Sequence, residues 1–264
     1  MKLASIGSNC VDFYTNIDGG RPCAGGGPVN MAVYTIRLGG TASYIGPVGD
    51  DEYGTFMLNE MQKKGIDISH LYIKEGKTAV SNVELIDGER VFGDYDEGVL
   101  GEYSLSAEDV DFILTHDVVV ADLWGRVEGY FKELKLKGIA TAFDLADNPD
   151  SDRVSMAIPY VDYLFFSSNE ADMNRIMEKM KSLRSMGPKL VICMLGSRGS
   201  VCYDGKDFIK CGIKECDCIV DTMGAGDSYI AGFLTGIISG LTVKEAMTMG
   251  AETATDTLQY FGAW

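Results

Sequence analysis

Asp221-Thr222-Met223-Gly224-Ala225-Gly226-Asp227-Ser228 is the stretch from which the fold can be read. It follows the short apolar run Cys218-Ile219-Val220 and opens a segment, 228–240, whose apolar and small residues recur at helical spacing. The expected unit is strand, turn, helix. Glycines at the turn let backbone approach a ligand, and the first amides of the next helix lack partners and sit at the positive end of its dipole. An anion is favoured there. Asp227 adds a carboxylate at the rim of that seat, where repulsion disfavours it beside a resting phosphate unless it takes a proton from an attacking group. An ordinary Asp after a flexible turn would give the same string, so the surroundings decide.

Upstream, 189–195 is an apolar strand followed by the glycine-containing turn Gly196-Ser197-Arg198-Gly199-Ser200, and Asp204-Gly205-Lys206 marks a hairpin. Asn169-Glu170-Ala171-Asp172 opens a helix that ends before Gly187-Pro188. Strands are expected at 117–121, 139–145 and 161–166, with helices after a cap at Ser106 and over 128–137. Thr242-Val243-Lys244-Glu245 caps a last helix.

At the other end, 3–7 is a buried strand, and alternation through Asn9-Cys10-Val11-Asp12-Phe13-Tyr14 places Asp12 near a strand end. Ala24-Gly25-Gly26-Gly27-Pro28-Val29-Asn30 then leads into a helix that stops at Gly39-Gly40. Three glycines there let a hydroxylated ligand lie against bare backbone, and Asn30 offers both a donor and an acceptor. A strand at 41–46 and a helix carrying Tyr53, Met57 and Met61 follow. Segments 78–86 and 90–95 flank Asp87-Gly88-Glu89 as an antiparallel hairpin. With the stretch around Val11 to Tyr14 that hairpin makes a small accessory sheet, whose Asn82, Glu84, Arg90, Asp94 and Glu97 face either a ligand or solvent. Regular alternation elsewhere implies an α/β protein with a mostly parallel sheet, helices on both faces, and ligands at the carboxyl ends of the strands.

Composition narrows the function. The 264 residues suit one large domain, and a formal net charge of −16 disfavours nucleic acid and anionic membrane surfaces as partners. Neither a membrane span nor a signal peptide is evident, so a cytoplasmic protein is expected. Seven cysteines without a disulfide framework read as reduced thiols. The two histidines give no basis for a Ser/His/Asp triad, and Cys211, Cys216 and Cys218 lack metal-site spacing.

Two signatures now resemble the ribokinase family, the PfkB-type carbohydrate kinases. They are Gly25-Gly26-Gly27-Pro28-Val29-Asn30 with Gly39 and Gly49-Asp50-Asp51, and Asp221 to Asp227 continuing to Ala231-Gly232-Phe233. The resemblance covers the whole chain and implies a Rossmann-like ribokinase fold, one domain over 1–264 with a β-sheet lid from about 10–23 and 76–100. It makes Asp227 the general base and the amides of Gly224, Ala225 and Gly226 an anion hole. It implies that Asp12, Gly26, Gly27 and Asn30 hold the sugar. The nucleotide would meet Asn169, Gly196, Ser197, Arg198 and Gly199. Asp221 and the backbone around Gly262 resemble a monovalent-cation site for K+. The family's N-x-x-E stretch reads here as Asn169-x-x-Asp172, a shorter acid that would meet Mg2+ through water.

A closer likeness, to family members acting on fructosamines, rests on Asp67-Ile68-Ser69-His70, Val91 to Tyr95, Glu97-Gly98-Val99, Trp124-Gly125 and Gln259 to Trp264. It implies ATP-dependent phosphorylation of the 6-hydroxyl of fructoselysine. Glu84, Asp94 and Glu97 are the candidates for its amine and Arg90 for its carboxylate. Two other readings stay open: a kinase for another sugar, sugar acid or nucleoside, and a sugar-binding sensor without catalysis. The lid is also expected to pair two copies into a homodimer.

Overall fold

Short apolar runs separated by helices bury themselves best as adjacent parallel strands with helices on both faces. The computed structural model, which describes residues 1–264 except the side chain of Val154, has this arrangement. In chain order the elements are β1 (Lys2–Ile6), β2 (Cys10–Tyr14), β3 (Arg21–Gly25), α1 (Gly27–Arg37), β4 (Thr41–Gly49), α2 (Glu52–Lys63) and β5 (Asp67–Lys74). Then come β6 (Val80–Ile86), β7 (Glu89–Asp96), α3 (Ala107–Ile113), β8 (Val118–Asp122), α4 (Phe131–Leu136), β9 (Ala140–Asp144), α5 (Val154–Ala157) and β10 (Tyr163–Ser167). The chain continues with α6 (Met173–Ser185), β11 (Leu190–Met194), β12 (Ser200–Tyr203), β13 (Phe208–Cys211), α7 (Ala225–Ile238) and α8 (Val243–Thr257).

The main sheet runs β13-β12-β11-β10-β9-β8-β1-β4-β5, parallel except where β12 pairs with β11 and β13. Its central strands are near-continuous apolar runs because both faces are covered: β8 and β11 are buried at every residue. One core layer joins Val29 and Val33 of α1, Met57 of α2, Phe233 of α7 and Met247 of α8. The opposite layer joins Ile113 of α3, Phe131 of α4 and Met180 of α6. A second sheet, β3-β2-β6-β7, lies outside the alternation, with β2 parallel to β6 and the other pairs antiparallel. Among the described residues no helix is long and apolar enough to cross a membrane.

Three local expectations need correction. Residues 218–220 form no strand; Ile219 and Val220 are exposed and the Val220 amide donates to the Leu258 carbonyl at 2.8 Å. No neighbouring strand is there to pair with that run. Asp12 stands in the middle of β2, fully paired with Cys23, instead of near a strand end. The helix expected over 128–137 begins as a 3₁₀ turn, Glu128–Tyr130, before α4.

Candidate active site

The turn at Gly224 is built for one residue type. Gly224 caps α7 in the left-handed region (φ 75°, ψ 0°), and a Cβ there would stand 2.9 Å from the Cβ of Ala263. Behind it lies Asp221, fully buried, which accepts from the Met223 amide at 2.9 Å, the Gly262 amide at 2.9 Å and the Tyr14 hydroxyl at 2.7 Å. Three donors thus hold the turn from below. In front, the amides of Gly224, Gly226 and Asp227 have no protein partner among the described residues, while that of Ala225 makes a long contact with the Thr222 carbonyl at 3.3 Å. Unpaired amides at a helix start form an anion seat.

A cavity of about 500 Å³ opens in front of this turn, between the small sheet and the carboxyl edge of the main sheet. Asp122, Asp144, Ser167 and Met194 are the last residues of β8, β9, β10 and β11, and all four line it. In the parallel register of β8 and β9, Asp122 and Asp144 are direct partners, so two carboxylates sit side by side. Asp12 enters from β2, Arg90 and Phe92 from β7, Asn30 from α1 and Asp227 from α7. The glycine turn admits these acids: a Cβ on Gly25 would fall 2.0 Å from Asp12 Oδ2, and one on Gly27 would fall 2.8 Å from Asp122 Oδ2 and 3.2 Å from Asp227 Oδ1. Gly26 has φ 97°, and a side chain there would meet the Asn9 backbone at 2.5 Å.

Hydrogen bonds fix Asp227 and Asp122. Asn30 Nδ2 donates to Asp227 Oδ2 at 2.7 Å. The Ser8 hydroxyl donates to Asp122 Oδ2 at 2.6 Å and the Trp124 amide to Oδ1 at 3.0 Å. Arg90 is tied by Nη1 to the carbonyl (2.6 Å) and hydroxyl (3.1 Å) of Thr222. Burial, joined by the charge of Asp227, pushes Asp12 and Asp122 up to about 7. Asp144 is likewise pushed well above the carboxylate range by burial and then by Asp227. Asp227 is raised by burial only to about 6, because the Asn30 amide and the Arg90 guanidinium favour its charged form.

A base must be ionised to accept a proton, so activity belonging to Asp227 is present above its raised value and lost as pH falls through about 6. The expected profile of kcat/KM drops about tenfold per pH unit below that point. Asn30→Ala, by removing a donor that lowers the value, is expected to move the acid limb upward. A limb that stays near pH 4 in the native enzyme would show that Asp227 is not the titrating group.

Of the sequence candidates, Asp12, Gly26, Gly27, Asn30, Arg90, Gly224, Gly226 and Asp227 line the cavity together. Asp94 and Glu97 do not. Asp94 is exposed on β7, and Glu97 forms a bidentate pair with Arg126 (2.6 and 3.1 Å), so its charge is already spent on a neighbour. Glu84 is exposed on β6 as well. Asn169, Gly196, Ser197 and Arg198 are exposed just past Ser167 and Met194, with Gly199 beside them, as an open shelf next to the cavity. Arg198 there donates to the Ser168 carbonyl at 3.2 Å.

Asp172 caps α6 through the Asn174 amide at 2.9 Å, and its half-exposed Oδ2 lies 3.9 Å from Arg175 Nε. That oxygen suits contact through water. Asp221 fits K+ poorly, because the groups around its carboxylate are donors, whereas a cation needs surrounding oxygen lone pairs. Ser8, Asp122, Asp144 and Tyr14 were missed by sequence reasoning. For Asp122 and Asp144 the usable signal is an acid that ends a wholly apolar strand, at the edge where such sheets bind ligands.

An anion seat facing a partly buried carboxylate at the carboxyl edge of a mostly parallel sheet suits phosphoryl transfer, and the family of the chain is a defined one. Residues 3–264 match the pfkB family carbohydrate kinase, and the chain belongs to that family. It is 43% identical to a fructoselysine 6-kinase of Shigella flexneri, over 99% of this chain and 99% of that one. It is 32% identical to a fructosamine kinase of Bacillus subtilis (strain 168), covering 100% of this chain and 93% of the relative. Arabidopsis thaliana ribokinase, solved with ribose and ATP, shares the fold with a TM-score of 0.88 at 21% identity, over 99% of this chain and 93% of the other.

Proposed function

We propose that this carbohydrate kinase transfers the γ-phosphoryl group of ATP to the 6-hydroxyl of fructoselysine. The observation that carries the substrate is the charge of the cavity: Asp12, Asp122 and Asp144 are buried in its wall, Asp227 is partly buried beside them, and Arg90 is the cation among them. Beside a neutral sugar that repulsion is met only by these raised acids taking up protons. A fructosamine brings a secondary ammonium that relieves it, and the fixed carboxylate of Asp122, held by Ser8 and the Trp124 amide, supports a contact with that group. The 43% identity to a fructoselysine 6-kinase supports the same reading.

In this mechanism Asp12, Asn30 and the backbone at Gly26 and Gly27 hold the sugar with its 6-hydroxyl toward Asp227. Asp227 takes the hydroxyl proton as the oxygen bonds to the γ-phosphorus, the bond to the β-phosphate oxygen breaks, and ADP leaves. The unpartnered amides of Gly224 and Gly226, and that of Ala225 once it leaves its long contact with Thr222, stabilise the charge spread over the transferring group. The nucleotide lies on the shelf of Asn169, Gly196, Ser197, Arg198 and Gly199. Bound Mg2+ would supply charge neutralisation of the phosphates, and Asp172 is the residue that would hold it through water. No step uses K+. The seven free cysteines suit a cytoplasmic enzyme. Exposed Val91, Phe92 and Tyr95 on β7 support pairing of two copies through the small sheet; a sedimentation mass of 28.6 kDa would exclude that assembly.

ADP release across fructoselysine, other fructosamines, fructose, ribose and adenosine tests the substrate. Release with ribose or adenosine but no fructosamine replaces it, and release with none points to a sensor. Asp122→Asn keeps shape and removes charge. Losing one charge-assisted contact should lower kcat/KM for fructoselysine by about 10- to 100-fold while fructose changes little. Equal losses on both sugars would remove the amine contact from Asp122.

A further inference from the structure

The segment that follows α8 touches the turn at Gly224, its support Asp221 and the start of α1. The Tyr260 hydroxyl meets that of Tyr34, the Gly262 amide donates to Asp221 at 2.9 Å, and Ala263 packs on Gly224 while its carbonyl accepts from Tyr34 at 2.6 Å. Trp264 goes further: its indole Nε1–H donates to Asn30 Oδ1 at 2.7 Å, and Nδ2 of that same amide donates to Asp227 Oδ2 at 2.7 Å.

We propose that Trp264 is a positioning residue for the general base, acting through the side-chain amide of Asn30. The inference rests on Asp227 being that base. An asparagine amide is nearly symmetric in shape, so packing alone does not choose between its two orientations. Its neighbours choose here. An indole N–H only donates and a carboxylate only accepts, so Oδ1 must face Trp264 and Nδ2 must face Asp227. The reverse orientation would set an amide oxygen against a carboxylate and an N–H against an N–H. Both penalties would fall on Asn30, which is 3% exposed and has little access to water.

The charged and titratable groups facing Asp227 are Arg90 on β7, Cys10 and Asp12 on β2, Asp122 on β8 and Asp144 on β9. Four of these five disfavour its ionised form when they carry charge. Arg90 and the Asn30 amide work the other way, and the amide does so only while it is turned the right way. Trp264 thereby helps keep Asp227 charged at neutral pH. Its ring is held in turn by Lys64, whose Nζ lies 5.2 Å from the ring centre.

The test is Trp264→Phe, which keeps an aromatic ring and deletes the donor. It is read by the pH profile of kcat/KM and by a double-mutant cycle with Asn30→Ala. One neutral hydrogen bond corresponds to about a fivefold to tenfold fall in kcat. The acid limb is expected to move upward by about half a pH unit. In the Asn30→Ala background Trp264→Phe should change neither quantity further. An acid limb that stays in place, or the same fold-loss in both backgrounds, overturns the proposal, because a residue that only supports the fold acts with or without Asn30. If Asp227→Asn retains near-normal turnover, the base assignment fails instead. An inactive Asp227→Asn beside an additive cycle rejects the relay alone.

Discussion

Asp227→Asn is expected to lower kcat by on the order of a hundredfold or more while ATP still binds. Asn has the shape of Asp, so the cavity keeps its volume and α7 keeps its first turn. What changes is the lone pair available for a proton. The new amide would turn its oxygen to the Asn30 N–H, leaving an NH2 group toward the sugar hydroxyl, and a donor cannot accept a proton. Thermal stability is expected to stay level or rise, since removing this charge relieves Asp12, Asp122 and Asp144, all of which it pushes upward. Low turnover with an intact or raised Tm therefore separates loss of the base from loss of the fold. Turnover close to native would end the mechanism.

Gly27→Ala carries the second large effect. As the first residue of α1, position 27 would accept alanine readily on helix propensity. The added methyl, however, would lie 2.8 Å from Asp122 Oδ2 and 3.2 Å from Asp227 Oδ1, and both carboxylates must shift. Misplacement of a reacting group by about 1 Å can cost about a hundredfold. The expectation is a loss of that order in kcat/KM with Tm changed little, measured by steady-state kinetics beside thermal denaturation. A variant that turns over normally would show that the two acids tolerate displacement and that their geometry is not limiting.

The parts of this site written in local strings were legible in the sequence. Gly224 to Asp227 names its own backbone geometry, and Asp87-Gly88 names the hairpin of the small sheet. What was not legible depends on register or on distant partners. Asp122 and Asp144 each look like a surface acid after an apolar strand, and only the pairing of β8 with β9 sets them side by side. The edge strand β5 is half exposed on both faces, which blurs its alternation, and β3 begins with two exposed residues, one of them Pro22. Residues 218–220 failed in the opposite sense: an apolar triplet without a neighbouring strand does not become one. Glu97 looked available to a ligand until Arg126, 29 residues away, was seen to hold it.

The glycines at 25 and 27 also bear on how such a protein changes over generations. Neither needs a left-handed backbone, so a fold under selection for stability alone has no use for them, and alanine would cost it nothing in conformational strain. Their empty β-positions are occupied by the oxygens of Asp12, Asp122 and Asp227. Only chemistry holds glycine there. A descendant of this chain that drifted to alanine at either position would still fold, and the exchange would record the loss of phosphoryl transfer even where the acids themselves survived.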